Sequence, residues 1–202
     1  MNPHTKGFGV GVKRPTSSAP WVVREGKFVR FLVKDGWEYV ERPNCTGAVI
    51  IIALTDEGKL LFTEQYRIPV GKPVIEFPAG LVGDRRGEEA EALETAAIRE
   101  LLEETGYAAE RILPLASGPT SAGLSNELVT LVQAVGLVKR AAGGGEGYER
   151  ITVHEVPLGD VEAWLRRMEA RGRLVDPKVY AGLYFLKQRK RRAVITADPK
   201  QP

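Results

Sequence analysis

Cysteine is almost missing from this 202-residue chain. A single copy, Cys45, excludes an intrachain disulfide framework and any zinc site built from several thiolates, and reads as a small core residue. Histidine is as scarce. His4 falls in a Gly-, Pro- and Ser-rich N-terminal stretch and His154 in a strand-like run, so a Ser-His-Asp triad or a His-rich metal site has little to draw on. Any metal chemistry falls to carboxylates. No apolar run approaches the ~20 residues that span a bilayer, and none follows Lys6 as a secretory signal requires. The expectation is no membrane partner and a cytoplasmic compartment.

Hydrophobic residues at 43% and charged residues at 27% describe an ordinary globular chain, sized for one domain with extensions. The formal charge of +3, from 29 basic and 26 acidic residues, is unevenly placed. Lys6, Lys13 and Arg14 lie before residue 20, and Lys187, Arg189, Lys190, Arg191 and Arg192 cluster near the end. Setting those eight aside leaves 21 basic against 26 acidic, so the body is acidic. The terminal basic run lacks interleaved aromatic residues for stacking on bases, which argues against a nucleic acid partner.

Residues 1–19 have no periodicity and read as a flexible tail, 20–43 as an N-terminal strand extension, 44–194 as the main domain and 195–202 as a second tail. In the extension, Trp21 to Arg24, Phe28 to Val33 and Trp37 to Val40 are separated by Gly-containing turns and predict an antiparallel meander. Gly47 to Leu54 is apolar on both faces and turns through Asp56-Glu57-Gly58 into Lys59 to Tyr66, which predicts a hairpin at the centre of the sheet. Val74 to Phe77, Arg111 to Ala116, Leu128 to Val138 and Ile151 to Val156 are further strand candidates. Helices are expected over Glu88 to Thr105, with Ile98, Leu101 and Leu102 as its core stripe and Gly106 as its cap, and over Val161 to Glu169 and Pro177 to Lys190. Strands and helices mixed in this order predict an α/β layered domain.

Glu100, Glu103 and Glu104 stand at i,i+3 and i,i+4, which gathers three carboxylates on one patch of the first helix. Like charges at that spacing destabilise a helix, and a hard divalent ion, Mg²⁺ or Mn²⁺, is the natural oxygen-bound partner that offsets the repulsion. The alternative is an acidic face screened by Arg99 and solvent.

Glu91, seven residues, then Arg99-Glu100-Leu101-Leu102-Glu103-Glu104-Thr105-Gly106-Tyr107 resembles the signature of the Nudix hydrolase family. That signature runs Gly, five residues, Glu, seven residues, Arg-Glu-aliphatic-any-Glu-Glu-any-Gly-aliphatic. The second half is matched, with Tyr107 in the last aliphatic place. The first half departs from it: ten residues separate Gly80 from Glu91, and Arg85 stands six before Glu91, so an insertion lengthens the loop and Glu88 or Glu94 could share the role of Glu91. The resemblance implies a Nudix α/β/α sandwich with a mixed sheet. It implies metal ions held by Glu100, Glu103, Glu104 and the Ala79 main-chain carbonyl, with Mg²⁺ the expected cofactor and Mn²⁺ a second. These ions would neutralise a diphosphate and lower the pKa of the attacking water. Arg99 is expected to pair with Glu91 and hold the carboxylates, and Glu103 and Arg99 join the catalytic set. Glu149, with Glu146 second, matches the family's loop carboxylate as general base or further ligand.

Glu64-Gln65-Tyr66-Arg67 followed by Val74 to Gly80 resembles the subgroup that cleaves ADP-ribose and related nucleoside diphosphate sugars. By that resemblance Arg67 contacts a phosphate and Glu76 the nucleotide end or the water; a loop salt bridge and a rim carboxylate are their alternatives. Trp37 either stacks on a base or belongs to a dimer core, and Glu127 either faces the site or lies on a loop surface. Where the subgroup has a Ser-Pro-Gly turn, this chain has Ala122, with Pro119 nearby. The expected partner molecules are a small nucleoside diphosphate substrate and a second copy of the chain, joined through the strand extension. The competing reading is a Nudix-like nucleotide-sensing or RNA-associated module without hydrolysis.

Overall fold

The computed structural model describes residues 19–85, 87, 89–145, 147 and 150–197, with side chains through Gln188. Three strands open it, β1 (Trp21–Glu25), β2 (Arg30–Lys34) and β3 (Trp37–Glu41), paired antiparallel in that order. Asp35 and Gly36 join β2 to β3 with φ of 50° and 82°, the double positive φ that an Asp-Gly hairpin turn needs. This is the meander expected from the sequence.

The body contains β4 (Gly47–Ala53), β5 (Lys59–Arg67), β6 (Lys72–Glu76), β7 (Ala79–Val82), α1 (Leu93–Thr105), β8 (Tyr107–Ala108), β9 (Arg111–Pro119), β10 (Leu128–Val135), β11 (Val138–Lys139), β12 (Ile151–Pro157), α2 (Val161–Ala170), β13 (Leu174–Val175) and α3 (Pro177–Ala197). Two mixed four-stranded sheets form its middle, ordered β7-β4-β10-β9 and β12-β5-β6-β13. The expected hairpin at the centre of one sheet is corrected here. β4 and β5 part after a single Leu54–Leu60 bridge, and β4 instead runs parallel to the distant β10. Val49, Ile51 and Ala53 of β4 pack toward α1, whereas Ile50 and Ile52 pack with Trp164, Leu165 and Val179 of α2 and α3. A strand covered on both faces is satisfied by whichever edges find partners, and apolar periodicity does not say which edges those are. The result is an α/β/α sandwich. Each fully buried Leu, Ile or Phe of these two clusters contributes about 1.5–3 kcal/mol of burial.

α1 starts at Leu93, five residues later than the expected Glu88, which lies outside the described residues. The backbone at Ala92 is still extended (φ −72°, ψ 146°), and the Glu91 carboxylate just before it is tied to the Gly83 amide and to Arg99. Leu101, Ala96 and Ala97 are fully buried while Leu102 is exposed, so the two alanines replace Leu102 in the expected stripe. Gly106 closes the helix at φ 77°, where an added Cβ would collide with the Ala141 carbonyl. α3 continues to Ala197, beyond the expected Lys190, because no Pro or Gly interrupts the chain before Pro199. Asp176 caps it, accepting from the Lys178 amide at 2.7 Å. Cys45 is half-buried rather than a core residue. No helix among the described residues is long and apolar enough to cross a membrane.

Candidate active site

The carboxylates of α1 lie against β7, and the sequence explains how they come so close. Gly80 has no side chain where a Cβ would overlap the Glu100 carboxyl group, so only glycine admits Glu100 to that place. Glu104 is buried and accepts the Ala79 amide at 3.0 Å. Glu103 stands one turn before Tyr107 and is mostly covered.

Arg99 organises this group. Its Nε and Nη2 hold the two oxygens of Glu91 at 3.0 and 3.1 Å, a bidentate pair, while Nη1 reaches Glu100 at 2.7 Å and Glu103 at 3.4 Å. Nη2 also donates to the Leu81 carbonyl at 3.2 Å. The Glu91 side chain is only 3% exposed, and the Arg99 hydrogen bond holds its carboxyl below the usual carboxylate range. The same contact raises the Arg99 guanidinium. Glu91 therefore makes the arginine contact expected of it; Glu94 is exposed on the first turn of α1, and Glu88 lies outside the described residues.

Burial pushes the Glu100 carboxyl up to about 7, outweighing the pull of Arg99. A carboxylate so desolvated gains from a further cation. The donor set, all oxygen and within one helical turn, fits a hard divalent ion such as Mg²⁺ or Mn²⁺. Among the described residues no three His, Cys, Asp or Glu side chains converge on a common point, because these carboxylates are turned toward Arg99, Arg85 and the Ala79 amide.

A cleft of about 400 Å³ opens beside them, with Glu100, Glu104, Ala79 and Gly80 on one wall. Arg67 and Glu76 also line it and are joined at 2.7 Å. Arg42 and Glu127, also lining the cleft, are joined at 2.8 Å. The structure thus brings Arg67, Glu76, Glu127, Ala79, Glu100 and Glu104 to one cavity. It does not bring Trp37 there: that ring is 62% exposed on the meander, with its indole N–H on the Gly123 carbonyl at 3.3 Å. Glu103 lies behind the cleft wall, held by Arg85 at 2.5 Å. Glu146 and Glu149 lie outside the described residues. Just before them, the Gly144 and Gly145 amides donate to the Glu104 and Glu103 carbonyls at 2.8 and 3.1 Å, fastening that segment to the end of α1. His154 is set between the Trp164 ring and the Glu64 carboxylate.

Sequence reasoning missed Arg42, Asp84 and Lys178, which also line the cleft. Arg42 and Lys178 sit at element ends with no periodic signal. Asp84 belongs to the insertion, whose departure from the signature was the only sign available.

Residues 46–175 match the family model for the NUDIX domain. An ADP-ribose pyrophosphatase of Bacillus subtilis (strain 168) is 34% identical over 151 residues, covering 74% of this chain and 75% of that protein. A methanol dehydrogenase activator of Bacillus methanolicus is 35% identical over 150 residues, with the same shares. An ADP-sugar pyrophosphatase of Mus musculus is 36% identical over 184 residues, 79% of this chain and 82% of that one. A solved structure of an ADP compounds hydrolase shares the fold, with a TM-score of 0.63 at 19% identity over 88% of this chain and 94% of that one. The signature helix, the sandwich around it and these relatives agree: the chain belongs to the Nudix hydrolase family.

Proposed function

We propose that this protein hydrolyses the diphosphate of ADP-ribose or a related nucleoside diphosphate sugar, giving a nucleoside monophosphate and a sugar phosphate. The observation that carries the reading is the cleft of about 400 Å³ whose lining brings half-buried Glu100 and buried Glu104 together with Arg67. Two of the relatives bear the names ADP-ribose pyrophosphatase and ADP-sugar pyrophosphatase, which supports the substrate class.

Glu100, Glu103 and Glu104, with the Ala79 carbonyl, would hold Mg²⁺, with Mn²⁺ as a substitute. When bound, the ion supplies charge neutralisation of the diphosphate and an acidified water. Arg99 keeps the carboxylates in register. Arg67 and Arg42 offer planar donor forks to the phosphates, so the Arg67–Glu76 and Arg42–Glu127 pairs open toward substrate. Water adds to one phosphorus, the bridging P–O bond breaks, and Glu149 or Glu146 accepts the water's proton.

The strand extension at 20–43 is read as the dimer-forming part, with Trp37 available to a substrate or to the second copy. A free, half-buried Cys45 suits a reducing compartment such as the cytoplasm.

The test is a panel of ADP-ribose, other nucleoside diphosphate sugars, dinucleoside polyphosphates and NADH, each incubated with protein and Mg²⁺ and resolved by chromatography. Preferential conversion of ADP-ribose or a nucleoside diphosphate sugar to two monophosphates supports the reading. Binding of these compounds without cleavage would replace it with a nucleotide sensor.

A further inference from the structure

The insertion before α1 delivers a second guanidinium to the carboxylate helix. Arg85 stands where the signature places its glycine, and its Nη2 lies 2.5 Å from Glu103 Oε1, while Arg99 Nη1 reaches the other oxygen at 3.4 Å. Both oxygens of Glu103 are therefore held by arginine. The two arginines are not alike. Arg99 is 14% exposed and locked by its bidentate pair with Glu91, whereas Arg85 is 40% exposed within the segment joining β7 to α1, so Arg85 is the more easily displaced.

There is also a place for it to go. A hollow of about 400 Å³ is lined by Asn44, Thr46, Asp84, Arg85 itself and Glu89. Glu89 offers a carboxylate there, and the Arg85 guanidinium is already 40% exposed to solvent.

We propose that Arg85 is a built-in competitor for the divalent cation. Its guanidinium occupies Glu103 when no cation is bound and must withdraw into the Glu89 hollow before Glu103 can serve as a ligand, so the insertion lowers cation affinity. The inference rests on the reading of Glu103 as a ligand given above. A cation that takes Glu103 releases Arg85, and by reciprocity Arg85 weakens the cation.

The test is Mn²⁺ binding to the full chain without substrate, followed by the electron paramagnetic resonance signal of free Mn²⁺. Arg85→Gln and Arg85→Ala should each bind about two- to fivefold more tightly than wild type, the scale of one exposed ion pair. Arg30→Gln, which removes the same charge from the distant meander, should bind as wild type does. Equal or weaker binding by both Arg85 variants overturns this inference alone and assigns Arg85 to substrate or loop structure. No Mn²⁺ bound by wild type or either variant overturns the ligand reading of α1 together with it.

Discussion

At Gly80 the backbone lies directly against the Glu100 carboxyl, which a single methyl group there would displace. Gly80→Ala should therefore lower turnover at least tenfold while destabilising the fold by only about 1–3 kcal/mol, the usual cost of overpacking; turnover and urea denaturation measured on one preparation check both. Glu91 makes a different demand. Its nearly covered carboxylate is the fixed partner of Arg99, so Glu91→Gln should cost about 2 kcal/mol in urea unfolding. The exposed Glu94→Gln should cost almost nothing. A reversed order would move the family's glutamate to Glu94 and redraw the insertion. Glu100, Glu103 and Glu104 were legible in the sequence because a helix converts spacing into adjacency, whereas Gly80 and Glu91 were legible only through the family signature. Arg42 and Glu127, 85 residues apart and joined at 2.8 Å, were not readable as a pair, because their meeting depends on where two loops end.

Elements show the same division between local and distant order. The end of α1, its glycine cap and the β2–β3 turn follow from local chemistry and match the sequence expectation, whereas the start of α1 falls five residues late. The parting of β4 from β5 does not, because β4 takes its parallel partner from β10 some 75 residues later. A second nonlocal tie holds β12 to the segment after α1: Glu155 accepts from Tyr107 Oη and Lys139 Nζ, both at 2.8 Å, and from Lys59 at 3.5 Å. The Lys139 hydrogen bond is the main cause holding Glu155 below the ordinary glutamate value, while burial and then the Glu155 hydrogen bond push Tyr107 up to about 12. A depressed carboxylate contributes its stability above the unfolded-state pKa and loses it as pH falls through the folded-state pKa. Glu155→Gln should accordingly lose about 1 kcal/mol at pH 7, with the variant and wild-type stabilities converging as pH falls below the ordinary glutamate value and through the lowered folded-state pKa. Parallel curves across the acid range would show that Glu155 is not the group responsible.

The molecule as a whole carries an unbalanced face. On the meander Val22, Val23, Val29 and Phe28 are exposed, Phe28 by 63%, although such residues are costly to leave in water. Covering them against a second copy is the role proposed above for the extension. Light scattering coupled to size exclusion should give twice the chain mass, and a Val23→Lys, Phe28→Glu double variant should give one chain mass. A wild-type monomer would leave the meander without its proposed role. The fold class was readable in the sequence from the mixture of strands and helices and from one signature. The cleft was readable only in part, because its far wall is assembled from β3's end, β5, the insertion and the start of α3.

The central claim is that the α1 carboxylates drive cleavage of a diphosphate. It is tested most directly by quantifying AMP and ribose 5-phosphate formed from ADP-ribose across a Mg²⁺ titration, for wild type and Glu100→Gln. The account predicts equal amounts of the two products from wild type, dependent on Mg²⁺, and a fall of at least about a hundredfold in the variant at saturating Mg²⁺. Wild-type turnover that persists in Glu100→Gln, or that ignores Mg²⁺, would contradict it.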